Sequence, residues 1–147
     1  MKKIVALFFL AGLLAGCSST ASWMAAGVDL SAYRHVWVEH QLADGDGVDE
    51  NIARQLRGLG YDATAGPKTL MPDSAEIILS YDAQWTFDFT RYLIRINMTI
   101  RTARTDKLLA KATNYRPSIT SRTPDAMIAT LLKGWFKPHV PPVPAAS

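Results

Sequence analysis

From Ile77 to Phe89 every second residue is apolar: Ile77, Leu79, Tyr81, Ala83, Trp85, Phe87 and Phe89. Between them stand Ile78, Ser80, Asp82, Gln84, Thr86 and Asp88, which are mostly polar. A period of two sends alternate side chains to opposite faces of a strand, so this pattern predicts a half-buried strand. A second run follows, in which Tyr92, Ile94, Ile96, Met98 and Ile100 alternate with Leu93, Arg95, Asn97, Thr99 and Arg101. A reversal near Phe89-Thr90 pairs the two as a hairpin, with Leu79 opposite Ile100 and Trp85 opposite Ile94. The turn contains no Asn-Gly or Asp-Gly to set its register. Arg104-Thr105-Asp106-Lys107 suits a second turn, and Leu108 to Tyr115 a third strand of the same meander.

The period changes elsewhere. Tyr33 to His40, with Val36, Trp37 and Val38, reads as an earlier strand. Asp49 is placed to cap a helix from about Glu50 to Leu59, whose Ile52, Leu56 and Leu59 share one face; Gly58 and Gly60 supply its stop. Thr123-Pro124-Asp125 starts a second helix with a capping hydroxyl, a proline and an acid. Met127, Ile128, Leu131, Leu132 and Trp135 form its apolar face, and Pro138 ends it. The order β-α-β-β-β-α predicts an α+β unit: an antiparallel sheet with two helices on one face and a polar second face.

The chain begins differently. Lys2 and Lys3 precede an apolar run from Ile4 to Leu14, then small residues lead to Cys17. That is the three-zone pattern of a secretory signal, and the run falls short of the about 20 residues a transmembrane helix needs. Leu14-Ala15-Gly16-Cys17 resembles the lipobox of bacterial lipoproteins. The resemblance implies cleavage before Cys17, a diacylglyceryl thioether on its sulfur and usually a third acyl chain on its amine. Two or more chains give stable anchoring. Cys17 is the only cysteine of the chain, so no internal disulfide forms and the domain stands on its core. Ser18 is not the aspartate associated with inner-membrane retention, which by the same resemblance implies the inner leaflet of the outer membrane, facing the periplasm. The predicted organisation is a signal peptide at residues 1–16, a tether at 17–28, an α+β domain at 29–137 and a proline-rich, disordered tail at 138–147.

Asp29-Leu30-Ser31-Ala32-Tyr33-Arg34-His35-Val36-Trp37, the Gly-Tyr that ends the helix of Leu56 to Tyr61, and the strand Ala75 to Tyr81 resemble a family of small bacterial lipoproteins, domain of unknown function 4136. Leu30 stands where phenylalanine is more usual. The resemblance covers residues 29–137 by element order. It implies this fold and address, and no catalytic residues.

Chemistry-bearing patterns are sparse. An EF-hand loop beginning at Asp44 would need an oxygen ligand at Val48, glycine at Asp49 and glutamate at Gln55, so Asp44 to Glu50 reads instead as a solvated loop leading into a helix. A looser cation site there is the alternative. His35, His40 and His139 have no cysteine or glutamate at ligand spacing, and neither a G-x-S-x-G elbow nor a phosphate-binding glycine loop occurs. These readings predict no metal, no cofactor and no enzymatic activity.

Charge is unevenly placed. Residues 17–88 hold four Lys/Arg against eleven Asp/Glu, a net of −7; residues 89–147 hold ten against two, a net of +8. Cross-strand pairing of Asp82 and Asp88 with Arg95 and Arg101 would absorb part of this. The sharper reading is a basic surface formed by Arg91, Arg95, Arg101, Arg104, Lys107, Lys111 and Arg116. Trp85, Phe87, Phe89 and Tyr92 crowd the hairpin tip, where an exposed aromatic patch would bind a partner. The sequence thus predicts a membrane-anchored, non-catalytic adaptor for an envelope protein partner, or one that self-associates, and no nucleic-acid binding. The alternative is a lipid or lipopolysaccharide binder using the basic strands, with Arg91, Arg95, Arg101 and Arg104 on phosphates.

Overall fold

The structure is a computed structural model that describes residues 18–117 and 123–139. Its elements are β1 (Ser19–Met24), β2 (His35–Glu39), α1 (Val48–Gly58), β3 (Asp62–Gly66), β4 (Ile77–Asp88), β5 (Thr90–Thr102), β6 (Leu108–Tyr115) and α2 (Pro124–Trp135). The six strands form one mixed sheet in the order β1-β6-β5-β4-β2-β3. The meander and the first strand are antiparallel, while β2 runs parallel to both β3 and β4. The fold is α+β as expected, with two strands more than the sequence predicted.

Both extra strands are sheet edges. β1 lies in the segment expected to be a tether: Ser19 pairs with Tyr115 and Met24 with Ala110, and Ala25 donates its N–H to the Leu109 carbonyl. Its small polar residues carry no burial pattern because an edge strand touches neighbours on one side only. β3, Asp-Ala-Thr-Ala-Gly, buries only Ala63 deeply and so shows no alternation.

The helices cover one face. Val48, Ile52, Ala53 and Leu56 of α1 and Met127, Ile128, Leu131, Leu132 and Trp135 of α2 pack with Val36, Val38, Ile77, Leu79, Ile96, Met98 and Ile100 in a single core. Thr123 caps α2 as predicted, accepting from the Ala126 N–H. Asp49 does not cap α1: the cap is Gly47 in a left-handed conformation, φ 70°, and Asp49 lies inside the first turn. The other face is open except for a small cluster of Trp37, Ala75 and Ile78.

The Asp29-Leu30-Ser31 motif has a physical role at each position. Asp29 accepts from the Ser31 N–H at 3.0 Å to close a 3-10 turn, Leu30 is fully buried, and the Ser31 hydroxyl accepts from the Lys137 N–H at 3.1 Å. The chain after α2 is strapped down further. The Tyr61 hydroxyl donates to the Lys137 carbonyl at 2.7 Å, and the His139 N–H to the Leu59 carbonyl at 2.7 Å. Ser19 to Met24 and Lys137 to His139 are thus bonded to the domain, outside the 29–137 span read from the sequence. The rest of the tail, like the signal segment and Cys17, lies outside the described residues.

Candidate functional site

The β4–β5 hairpin is the longest feature of the sheet. Leu79 pairs with Ile100 as predicted, but a bulge between Gln84 and Trp85 shifts the register. Trp85 therefore faces Leu93, not Ile94, and Leu93 is buried while Tyr92 and Ile94 are only half-buried. One extra residue in a ladder flips every later side chain to the opposite face. Near the tip, Trp85 and Phe87 take the helix side with Arg91 opposite Phe87, whereas Tyr92, opposite Thr86, takes the open side. Phe89 forms the turn with φ 59°, and its ring is 95% exposed; Phe87 is 75% exposed. The four aromatic residues thus do not form one patch. Phe87 and Phe89 are presented to solvent, and Trp85 packs back against the core.

A loop braces the hairpin from the helix side. Asp46 reaches Arg91 at 2.9 Å, and the Arg91 guanidinium lies over the Trp85 ring, 5.2 Å from its centre. Asp44 accepts from the Asp46 and Val48 N–H groups, both at 2.9 Å, and from the Tyr81 hydroxyl at 2.5 Å. Burial pushes the Asp44 carboxyl upward, but these donors, Tyr81 first, outweigh it and hold the group below its ordinary value. The same burial, together with the Asp44 carboxylate, raises the Tyr81 hydroxyl far above its usual range. His40 bonds Asp49 at 2.9 Å through Nδ1. One potential ligand atom from each of His40, Asp44 and Asp49 lies within 4.8 Å of the others, so these are the residues a cation would use. Within the cluster Asp44 closes the loop and accepts from the Val48 N–H at the start of α1, while His40 Nδ1 and Asp49 Oδ2 hold each other.

The predicted basic surface is divided. Arg91 faces the helix side and is ion-paired, while Arg95 lies on the open face over the Tyr115 ring, 4.7 Å from its centre. Arg101 is at the far end of β5, 3.6 Å from Asp106, and Arg104 lies in the turn beyond it. The expected pairing partners differ too: Asp82 lies opposite Asn97 and Arg101 opposite Ile78. Four arginines spread over two faces and two ends do not make one anion site.

The open face offers a shallow cavity of about 410 Å³ floored by Asn97, Thr99 and Thr113 and walled by Trp23 and Lys111. The Lys111 ammonium lies 5.9 Å from the centre of the half-exposed Trp23 ring. Sequence reasoning missed this wall, because Trp23 was assigned to the tether; an isolated tryptophan among small polar residues was the available signal.

Cys17 lies outside the described residues, but it is two residues from Ser19. Ser18 is exposed, and Ser19 starts β1 in the row Ser19–Tyr115–Arg95–Gln84 that crosses the sheet. The hairpin tip projects beyond that same end of the sheet.

No family model matches the chain, and no curated protein matches it. Solved structures do. The PelC dodecamer from Paraburkholderia phytofirmans superposes with a TM-score of 0.61 at 16% identity, covering 81% of this chain and 99% of that one. A DUF4136 family protein from Bacteroides thetaiotaomicron superposes with a TM-score of 0.55 at 5% identity, covering 83% of this chain and 98% of that one. No described helix is long and apolar enough to cross a membrane. The chain has the fold of these proteins, and that shared fold supports the resemblance to domain of unknown function 4136 carried by its sequence.

Proposed function

We propose that this protein is a lipid-anchored, non-catalytic adaptor of the bacterial cell envelope. It is acylated on Cys17, held at the inner leaflet of the outer membrane facing the periplasm, and binds an envelope protein, copies of itself included. The observation that carries this reading is the position of β1. An edge strand that begins two residues after the acylated cysteine mounts the sheet on the membrane without a linker. It also leaves a row of backbone groups free for strand addition, as the β1–β6 alternation turns Thr20, Ser22 and Met24 outward. On the opposite edge one outward acceptor is already taken, since Arg57 donates to the Ala63 carbonyl of β3 at 3.0 Å. The PelC dodecamer, built from a protein of similar fold, supports including copies of this chain among the candidate partners. The alternative, a lipid or lipopolysaccharide binder using the basic strands, has less support because its arginines are dispersed.

In-cell crosslinking from a photoreactive residue at Ala21, with mass spectrometry of what is captured, tests the proposal. One stoichiometric envelope protein, or this chain itself, is the expected product. Lipid alone, with no protein above background, refutes the adaptor reading.

A further inference from the structure

We infer that the β4–β5 hairpin tip is a second membrane contact, in which Phe87 and Phe89 enter the interface of the leaflet that holds the acyl chains. The inference rests on acylation at Cys17 and goes beyond it, because it assigns the exposed aromatic residues to lipid in place of a protein partner.

Sheet geometry places the tip and the anchor together. Ser19, Tyr115, Arg95 and Gln84 are in register across four strands. Two residues of chain span at most about 7 Å, so the Cys17 anchor point is confined to within that distance of Ser19. β5 begins at Thr90, five residues before Arg95, so the tip extends about 16 Å past the row on the same side. β1 lies two strands from β5 and three from β4, a lateral separation of about 10–14 Å. A sheet tilted by about 40° brings the sulfur of Cys17 and the ring of Phe89 to one level. With no linker in between, the anchored domain cannot swing its tip far from the bilayer.

The chemistry of the tip fits that plane. Phe87 and Phe89 are the two large aromatic side chains most open to solvent among the described residues. Rings held this exposed by a backbone turn are costly in water and favoured at an interface. Tyr92 and Arg95 lie behind them at headgroup depth, suited to phosphates and carbonyls. Asp88 is the single acid between Trp85 and Arg95, and it limits insertion to the interfacial zone. The Arg91–Asp46 ion pair and the Tyr81–Asp44 bond brace the hairpin, so the rings are presented without an ordering step.

The test uses the acylated full chain in vesicles of phosphatidylethanolamine and phosphatidylglycerol. Acylation consumes the sulfur of Cys17, the only cysteine, so Thr90→Cys supplies the sole reactive thiol for an environment-sensitive fluorophore. Lys107→Cys places the same label at the other end of β5. The label at position 90 is expected to be quenched by lipids carrying a shallow nitroxide, and the label at 107 not. Adding Phe87→Ser and Phe89→Ser to the Thr90→Cys chain is expected to reduce quenching by at least half. Intact mass is read on the same sample. A chain without acyl groups overturns the anchor and this inference with it. An acylated chain whose label at 90 is as water-exposed as that at 107 overturns the membrane tip alone.

Discussion

Asp44→Ala removes one side chain that serves three partners, which makes its cost a direct test of how the hairpin is braced. Its carboxylate holds the Asp46 and Val48 N–H groups and the Tyr81 hydroxyl. The Val48 N–H is an unpaired donor at the start of α1, whose Gly47 cap has no side chain to offer, so losing its acceptor costs about 1 kcal/mol. The Tyr81 residue is 4% exposed, and leaving its O–H without an acceptor costs a further 1–2 kcal/mol, roughly. The expected loss is about 2–3 kcal/mol, read as a shift of the urea midpoint at unchanged slope. Tyr81→Phe removes donor and desolvation together and leaves Asp44 its two backbone bonds, so its cost is about 1 kcal/mol. The pH dependence has a definite sign. The Asp44 carboxyl lies below its ordinary value when folded, so its contribution is complete above that value, near 3.8. It is lost as pH falls through the lower folded value. The gap between wild type and Asp44→Ala therefore closes on acidification below about pH 4. Equal costs for Asp44→Ala and Tyr81→Phe, or a gap unchanged at low pH, would refute this account.

Other consequences are as direct. Gly60 has φ 94°, and a Cβ there would collide with the His139 backbone, so Gly60→Ala should cost more than about 2 kcal/mol and release residues 137–139, detected as faster amide exchange at Lys137 and His139. The Glu76 carboxylate accepts from the His35 and Arg34 N–H groups at 2.8 and 2.7 Å, and the His35 bond is the main reason its pKa lies below the ordinary value. Being solvent-exposed, it should contribute at most about 1 kcal/mol, present above about pH 4.5 and lost below; thermal melts of Glu76→Gln across pH check this. Trp135 donates through its indole N–H to the Ser22 hydroxyl at 3.0 Å, so Ser22→Ala should weaken β1 docking and raise amide exchange across residues 19–24 before any other strand.

The elements that could be read from sequence are those buried on one side. The alternation of Ile77 to Ala83 and of Ile96 to Ile100 records a face against helices, and the Thr123-Pro124-Asp125 start of α2 is local chemistry that needs no tertiary context. β1 and β3 were not legible. Each pairs on one side only, and their alanine, serine, threonine and glycine carry no hydrophobic signature. The mixed sheet follows from β3, since a parallel strand beside β2 requires the α1 crossover between them. The bulge at Gln84/Trp85 is likewise silent, because apolar residues on both sides of Leu93 make either phase acceptable. It decided the candidate site all the same, turning Tyr92 away from Phe87 and Trp85. Arg91 read as a surface cation, but its partner Asp46 is 45 positions away in sequence.

A strand that begins at Ser19 changes what the proposed lipid anchor is expected to do. Twelve flexible residues would let a domain sample about 20 Å and any orientation, so no face would be defined relative to the bilayer. With β1 beginning at Ser19, two residues separate Cys17 from the sheet, so the proposed acylation there would hold only one end of the sheet at the membrane. In that pose the other end, with the Asp106 turn and Arg104, would point away from the bilayer. Inserting a flexible Gly/Ser segment of about a dozen residues between Ser18 and Ser19 separates the roles. Acylation and folding should be unchanged, because neither depends on the spacing. Crosslinking from Ala21 and nitroxide quenching at position 90 should both fall, because both depend on a fixed pose. If both survive the insertion undiminished, orientation by β1 is not what aligns this domain, and its partner alone must hold it in place.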